Sequence, residues 1–176
     1  MNKRWTWWVV GCVVGIGAGV AVAGERHGMP QASSPELERM KSLAGHWEGT
    51  SSMGEGEQTP AAVDYTITSG GSAVVETLFP GTPQEMVSVY HDQDGKLAMT
   101  HYCMLGNQPQ LQLTNADAEH LSLSFSVSPG IDPEKDQHMH ALLLTWEDAD
   151  HLTHAWTSYE HGQPSETATF HFSRVR

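Results

Sequence analysis

The chain has 176 residues, of which 39% are apolar, and a formal net charge of −12 with histidine neutral. That apolar content is enough to build one domain with a real core and excludes wholesale disorder. The acidic balance repels phosphate backbones and anionic lipid heads, which argues against nucleic-acid binding.

The first 23 residues read as an export signal rather than as part of the fold. Lys3 and Arg4 form a positive head, residues 5–23 carry no charge, and Ala21-Val22-Ala23 offers small side chains to a signal peptidase before Gly24 and Glu25-Arg26. Cleavage after Ala23 would send the protein to the periplasm or the exterior. Two other readings of this segment stay open. Left uncut, the run from Trp5 to Ala23 is long enough to anchor the chain in a bilayer. Val9-Val10-Gly11-Cys12 loosely resembles a lipoprotein box that would place a lipid on Cys12. Membrane contact is expected through this segment only. Cleavage would remove two basic residues and no acid, taking the net charge from −12 to −14. It would also leave Cys103 without a second cysteine, so the core must stabilise the fold without an internal disulfide.

Residues 24–34 are rich in Gly, Pro and Ser and lack periodicity, which predicts a tether. Ser34 as N-cap, Pro35 at the first helical position and Met40, Leu43 and Ala44 on one face predict a short helix over 35–44, ended by Gly45. The remainder, 35–176 with that helix, is one domain. Runs rich in β-branched and aromatic residues recur at roughly ten-residue spacing. They predict strands at 46–53, 61–69, 72–79, 85–91, 96–104, 108–114, 120–127, 138–146, 151–159 and 166–175. Asp94-Gly95 is a strong hairpin signal, and Gly70-Gly71, 147–150 and 161–164 are further turns. No connection has room for a crossover helix. The predicted fold is therefore all-β, an antiparallel up-and-down barrel of about ten strands closed to remove its edges.

The segment Leu43-Ala44-Gly45-His46-Trp47 puts a short helix before Gly-x-Trp, which resembles the opening of lipocalins and their calycin relatives. In those barrels the tryptophan packs across the closed end near a basic residue of the last strand. The resemblance implies that role for Trp47, with Arg174 as its partner. A plain core tryptophan is the alternative. Most of the chain after the tether, including residues 70–109, is similar to an uncharacterised bacterial family of exported lipocalin-like proteins, which implies a fold and no activity. Ten strands is nearer to the fatty-acid-binding and nitrobindin-like barrels than to eight-stranded lipocalins.

Residues 101–109 are the most unusual stretch. Pairing through Asp94-Gly95 sets Lys96 opposite Gln93, Met99 opposite Tyr90, His101 opposite Ser88 and Cys103 opposite Met86, with all but the first pair on one face. Such a mixture of soft, aromatic and hydrogen-bonding groups suits a ligand cavity, and equally an ordinary half-polar outer face. His101 is the first candidate contact, with Tyr90, Met99, Ser88 and Cys103 beside it. Asn107 and Gln108 could close over a rim or satisfy a tight turn. Glu76 lies among apolar residues, so it either faces solvent or points into a polar cavity.

His138 and His140 point to one side of a strand, and His154 could join them from the next strand. Two or three imidazoles without an acidic box make only a weak metal candidate. Haem held by one axial histidine, as in nitrobindin-like barrels, is a further cofactor that the resemblance allows. No enzyme signature is present in the sequence: GxSxG, HExxH and a phosphate-binding glycine loop are all missing.

Three functions follow as expectations. The first is an exported, non-catalytic barrel that binds a small apolar molecule. The second is a haem- or metal-binding barrel with weak enzymatic activity, which would need a cavity histidine coupled to an acid such as Glu76. The third is a structural envelope protein with a filled barrel.

Overall fold

The computed structural model describes residues 33–176. The export signal, Cys12 and the tether up to residue 32 lie outside the described residues. Helix α1 (Pro35–Lys41) is followed by ten strands: β1 (Gly45–Met53), β2 (Thr59–Thr68), β3 (Ala73–Leu78), β4 (Met86–Gln93), β5 (Lys96–Tyr102), β6 (Gln110–Ala116), β7 (His120–Phe125), β8 (His138–Trp146), β9 (His151–Glu160) and β10 (Gln163–Arg174). Each strand pairs antiparallel with its sequence neighbours, and β1 pairs with β10, so the sheet closes into a barrel without a free edge.

The expected architecture is present, with shifts at the boundaries. The helix stops at Lys41 rather than at residue 44. Its end tightens into i→i−3 bonds, from Leu43 N–H to the Met40 carbonyl and from Ala44 N–H to Lys41. Ser34 caps the start through Leu37 N–H. The last strand begins at Gln163, three residues before its expected start, because His161 and Gly162 both take positive φ (52° and 72°) and make a tight two-residue hairpin. Asp94 and Gly95 do the same with φ of 52° and 77°. The expected β4–β5 register holds, with Tyr90 opposite Met99 and Ser88 opposite His101.

The two ends of the barrel differ. Helix α1 plugs the end where β1 begins, burying Leu37, Met40, Leu43 and Trp47 against Val63, Val74, Leu97, Leu144 and Leu152. Arg39 holds the plug to the β6–β7 turn through the carbonyls of Asp117 and Ala118, and stacks 3.9 Å from the centre of the Trp146 ring. The Asp92 carboxylate accepts from the N–H and hydroxyl of Ser34, both at 2.6 Å. Below the middle of the barrel the interior is filled. The opposite end is a mouth formed by the loops after β1, β3, β5, β7 and β9.

Candidate functional site

The mouth leads into a cavity of about 410 Å³. Its walls come from the inward residues of strand ends: Leu78, Phe79 and Met86 on one side, Met139, Trp156, Ala168 and Phe170 on the other, with Met53 and Glu57 at the rim. His101 and Cys103 also line it. Phe79 is held at φ 54°, a left-handed conformation that costs a bulky residue energy, and its ring packs 5.9 Å from that of Phe170. Exposed Met53, Met104, Leu105 and Val127 extend the apolar surface around the mouth.

His101 is only 2% exposed and packs against Trp156 at a tilt, with ring centres 4.7 Å apart. Period-two alternation on β5 turns His101 inward together with Met99, which lies one layer deeper and is fully buried. Below it the interior becomes polar. Ser88 Oγ stands 3.0 Å from His101 Nδ1 and 3.2 Å from Glu76 Oε1. The other oxygen of Glu76 accepts from the hydroxyls of Tyr90, at 2.9 Å, and Tyr65, at 3.0 Å. The Tyr65 hydroxyl also lies 2.8 Å from His154 Nε2. Glu76, on β3, therefore joins β2, β4, β5 and β9 inside the barrel.

Burial controls the protonation of this cluster. It pushes His101 down to about 4 and His154 to about 3, so both rings are neutral at neutral pH. Burial also raises Glu76 above the usual carboxylate range, with the bonds from Tyr90, Tyr65 and Ser88 acting against it. Burial likewise raises the Cys103 thiol, which lacks the electropositive surroundings of a reactive cysteine.

The expected site residues divide into four groups. His101 and Cys103 line the cavity, with Met86 opposite. Ser88, Tyr90 and Glu76 lie beneath it, joined to His101 by hydrogen bonds through Ser88, and Met99 is core. Asn107 and Gln108 are not in the cavity wall. Asn107 donates to the Gln137 carbonyl and Gln108 to that of Gly106, so they order the loops around the mouth. Sequence reasoning missed Tyr65, Trp156 and Phe170. The alternation of Leu152, His154, Trp156 and Ser158 on β9 could have marked one inward face.

The expected histidine trio is split by the barrel wall. His138 Nε2 and His140 Nδ1 are 3.1 Å apart, in an outer cluster where Phe125 packs on His138 and Tyr159 stacks on His140. His138 pairs with Tyr159, whereas His154 pairs with Leu144 and faces the interior. Among the described residues no group of three or more His, Cys, Asp or Glu is placed to hold a metal.

Haem fits the cavity poorly. His101 is the one histidine in the lining that could hold its iron, but the lining has the acidic Glu57 and no lysine or arginine to neutralise its carboxylates.

The chain matches no known protein-family profile and no curated protein. The fold is similar to the crystal structure of Rv2717c from M. tuberculosis, at 14% sequence identity and a TM-score of 0.51, covering 82% of this chain and 100% of that chain. A redesigned β-barrel, b11L5F_LGL, is similar at 13% identity and a TM-score of 0.36, covering 78% and 95% of the two chains. These likenesses concern the fold alone.

Proposed function

We propose that this protein is an exported barrel that carries or senses a small apolar molecule in the cavity above His101. The observation that carries the reading is the cavity itself, a space of about 410 Å³ walled by Leu78, Phe79, Met86, Met139, Trp156 and Phe170. Its size and its largely apolar wall with a few polar groups, among them His101, Ser51, Thr59 and Glu57, are those of small-ligand sites. The apolar rim at the mouth supports access by such a molecule, and the leader-like segment at 1–23 supports export. A barrel with a purely structural role gains nothing from leaving this half unfilled.

The test is to produce the chain with its own leader, purify it without denaturation and record native mass spectra beside the denatured mass. A small apolar molecule that leaves on denaturation is the expected result. A bare polypeptide that also fails to take up a neutral apolar dye such as N-phenyl-1-naphthylamine overturns the reading.

The line from His101 through Ser88 to Glu76 favours one second reading, an enzyme that moves a proton on the same ligand. Turnover of the co-purified molecule, lost in His101→Gln with binding retained, would select it.

A further inference from the structure

Resting on that reading of the cavity, the hydrogen-bond cluster beneath it defines which ligand chemistry the site can meet. Each hydroxyl carries one proton, and each neutral histidine has one N–H. Tyr90 has Glu76 as its partner, Tyr65 lies between Glu76 and His154, and Ser88 lies between Glu76 and His101.

Two proton arrangements leave no buried O–H or N–H of the cluster without an acceptor and no Glu76 oxygen facing its neighbour without a proton between them. In the first, ionised Glu76 accepts from Tyr65, Tyr90 and Ser88. His154 then donates through Nε2 to Tyr65, and His101 donates through Nδ1 to Ser88. His154 Nδ1 is left with a lone pair, and within the cluster that is the atom found buried without a partner. His101 Nε2, on the cavity side, is an acceptor. In the second, Glu76 holds a proton on Oε1 and gives it to Ser88. Ser88 donates to His101 Nδ1, and His101 presents Nε2–H to the cavity.

Other placements fail. An ionised Glu76 with Ser88 turned to His101 leaves the buried Oε1 facing the Ser88 oxygen at 3.2 Å with no proton between them. A Glu76 proton given to Tyr90 strands the Tyr90 O–H. Given to Tyr65, it forces Tyr65 to donate to His154 and leaves a buried Nδ1–H unpaired, at a cost of about 1–3 kcal/mol.

We propose that the cavity takes an uncharged apolar molecule whose single polar group hydrogen-bonds to His101 Nε2, and that Glu76, through Ser88, allows that nitrogen to meet either a donor or an acceptor. Passing from the first arrangement to the second adds one proton to Glu76, while Ser88 and His101 each hand one on. No charge is placed on the imidazole. The groups that face Glu76 are Tyr65 from β2, Ser88 and Tyr90 from β4, His154 from β9 through Tyr65, and His101 from β5 through Ser88; none is a lysine, an arginine or a second carboxylate. The raised proton affinity of Glu76 keeps the second arrangement within reach.

The requirement for an uncharged ligand comes from the surroundings. The cavity lining has Glu57 and no basic residue. The mouth loops carry Glu55, Glu57, Glu85, Asp132, Glu134 and Asp136 against Lys135, which is paired with Asp132 at 2.5 Å. An anionic head is repelled there. A cationic head at the floor finds the Glu76 oxygens already occupied.

Indole (one N–H donor) and 1-indanone (one carbonyl acceptor) are bicycles of similar size that separate the two arrangements. Calorimetry in buffers of different ionisation enthalpy reads the protons exchanged on binding. Indole should bind without proton exchange, and indanone should bind with uptake approaching one proton. In Glu76→Gln the amide donates to Ser88 and fixes His101 as a donor. Indole should weaken about tenfold, the worth of one buried hydrogen bond, and indanone should bind without proton uptake. If that variant does not fold, Ser88→Ala decides: proton uptake should vanish with both bicycles still bound. Equal proton counts for the two ligands, or uptake that survives Ser88→Ala, overturn the inference. If N-phenyl-1-naphthylamine enters the cavity and those differences are absent, the carrier reading stands and this one falls. If no neutral molecule enters, both fall.

Discussion

The Arg174 guanidinium lies 4.1 Å from the centre of the Trp47 ring, and its two terminal nitrogens donate to the carbonyls of Ala44 and Ser42. One residue of the last strand thus covers the buried tryptophan of the first and caps the end of helix α1. Trp47 in turn donates from Nε1 to the Leu43 carbonyl at 2.8 Å. Arg174→Met keeps the apolar stem and loses the two caps, and should cost about 1–3 kcal/mol. Hydrogen exchange should quicken over residues 35–44 before it does in the strands. Unchanged exchange there would show that the plug does not depend on Arg174.

The sequence carried the barrel better than the site, for a physical reason. Strand count, pairing order and the β4–β5 register are local: period-two alternation and Asp94-Gly95 specify them within a few residues. That register brought His101, Ser88, Tyr90 and Met99 to one face, and the same face is buried. Whether the face looks into a void depends on residues far away in the chain. Trp156, Ala168 and Phe170 form the far wall, and no local pattern links them to His101. The polarity of Glu76 is visible in the sequence, but its partners Tyr65, Ser88 and Tyr90 come from the two neighbouring strands and His154 reaches it through Tyr65 from 78 residues away, so its burial cannot be read from its neighbours in the chain. Of the two roles open to Asn107 and Gln108, the hydrogen bonds show the satisfying of backbone carbonyls, at Gln137 and Gly106.

Acid should destabilise the fold through its buried histidines. The ordinary histidine value is 6.5, and the folded values are about 4 for His101 and about 3 for His154. The unfolded chain therefore binds protons that the folded chain refuses. Stability is full above pH 6.5 and falls as pH drops, by about 1.4 kcal/mol per unit for each histidine until its folded value is reached. Glu76, raised by burial, acts in the opposite sense, because the fold takes up its proton before the unfolded chain does. The exposed His46–Asp64 and His151–Asp148 pairs also oppose the trend, since their imidazoles are raised. Denaturant midpoints measured from pH 7 to 4 should fall, and His154→Gln, which can still donate to Tyr65, should reduce the slope. A flat profile that His154→Gln leaves unchanged would mean that both rings take up protons in the folded chain.

Gly49 is required where β1 crosses β10. A Cβ there would stand 1.8 Å from the His171 carbonyl oxygen and 2.8 Å from its carbon, both backbone atoms that the barrel closure fixes. Gly49→Ala must separate the two strands at the seam and should cost at least about 3 kcal/mol, beyond the common range for a methyl forced into a packed core. A urea midpoint equal to that of the native chain would show that the seam is loose.

Filling the cavity separates ligand binding from stability. Ala168 lines the wall and pairs with Trp156 across β9 and β10, so a larger side chain there enters space that is otherwise open. Ala168→Phe should weaken a neutral dye such as N-phenyl-1-naphthylamine by at least about tenfold while leaving the urea midpoint equal or higher, because apolar contact replaces a void instead of crowding a packed core. Thr169 is the next residue on β10 and points to the other face, so Thr169→Phe is the matched control and should leave dye binding unchanged. Equal affinity in both variants would place the dye outside the barrel. A midpoint that falls in Ala168→Phe with binding intact would mean that the strand moves to keep the cavity open.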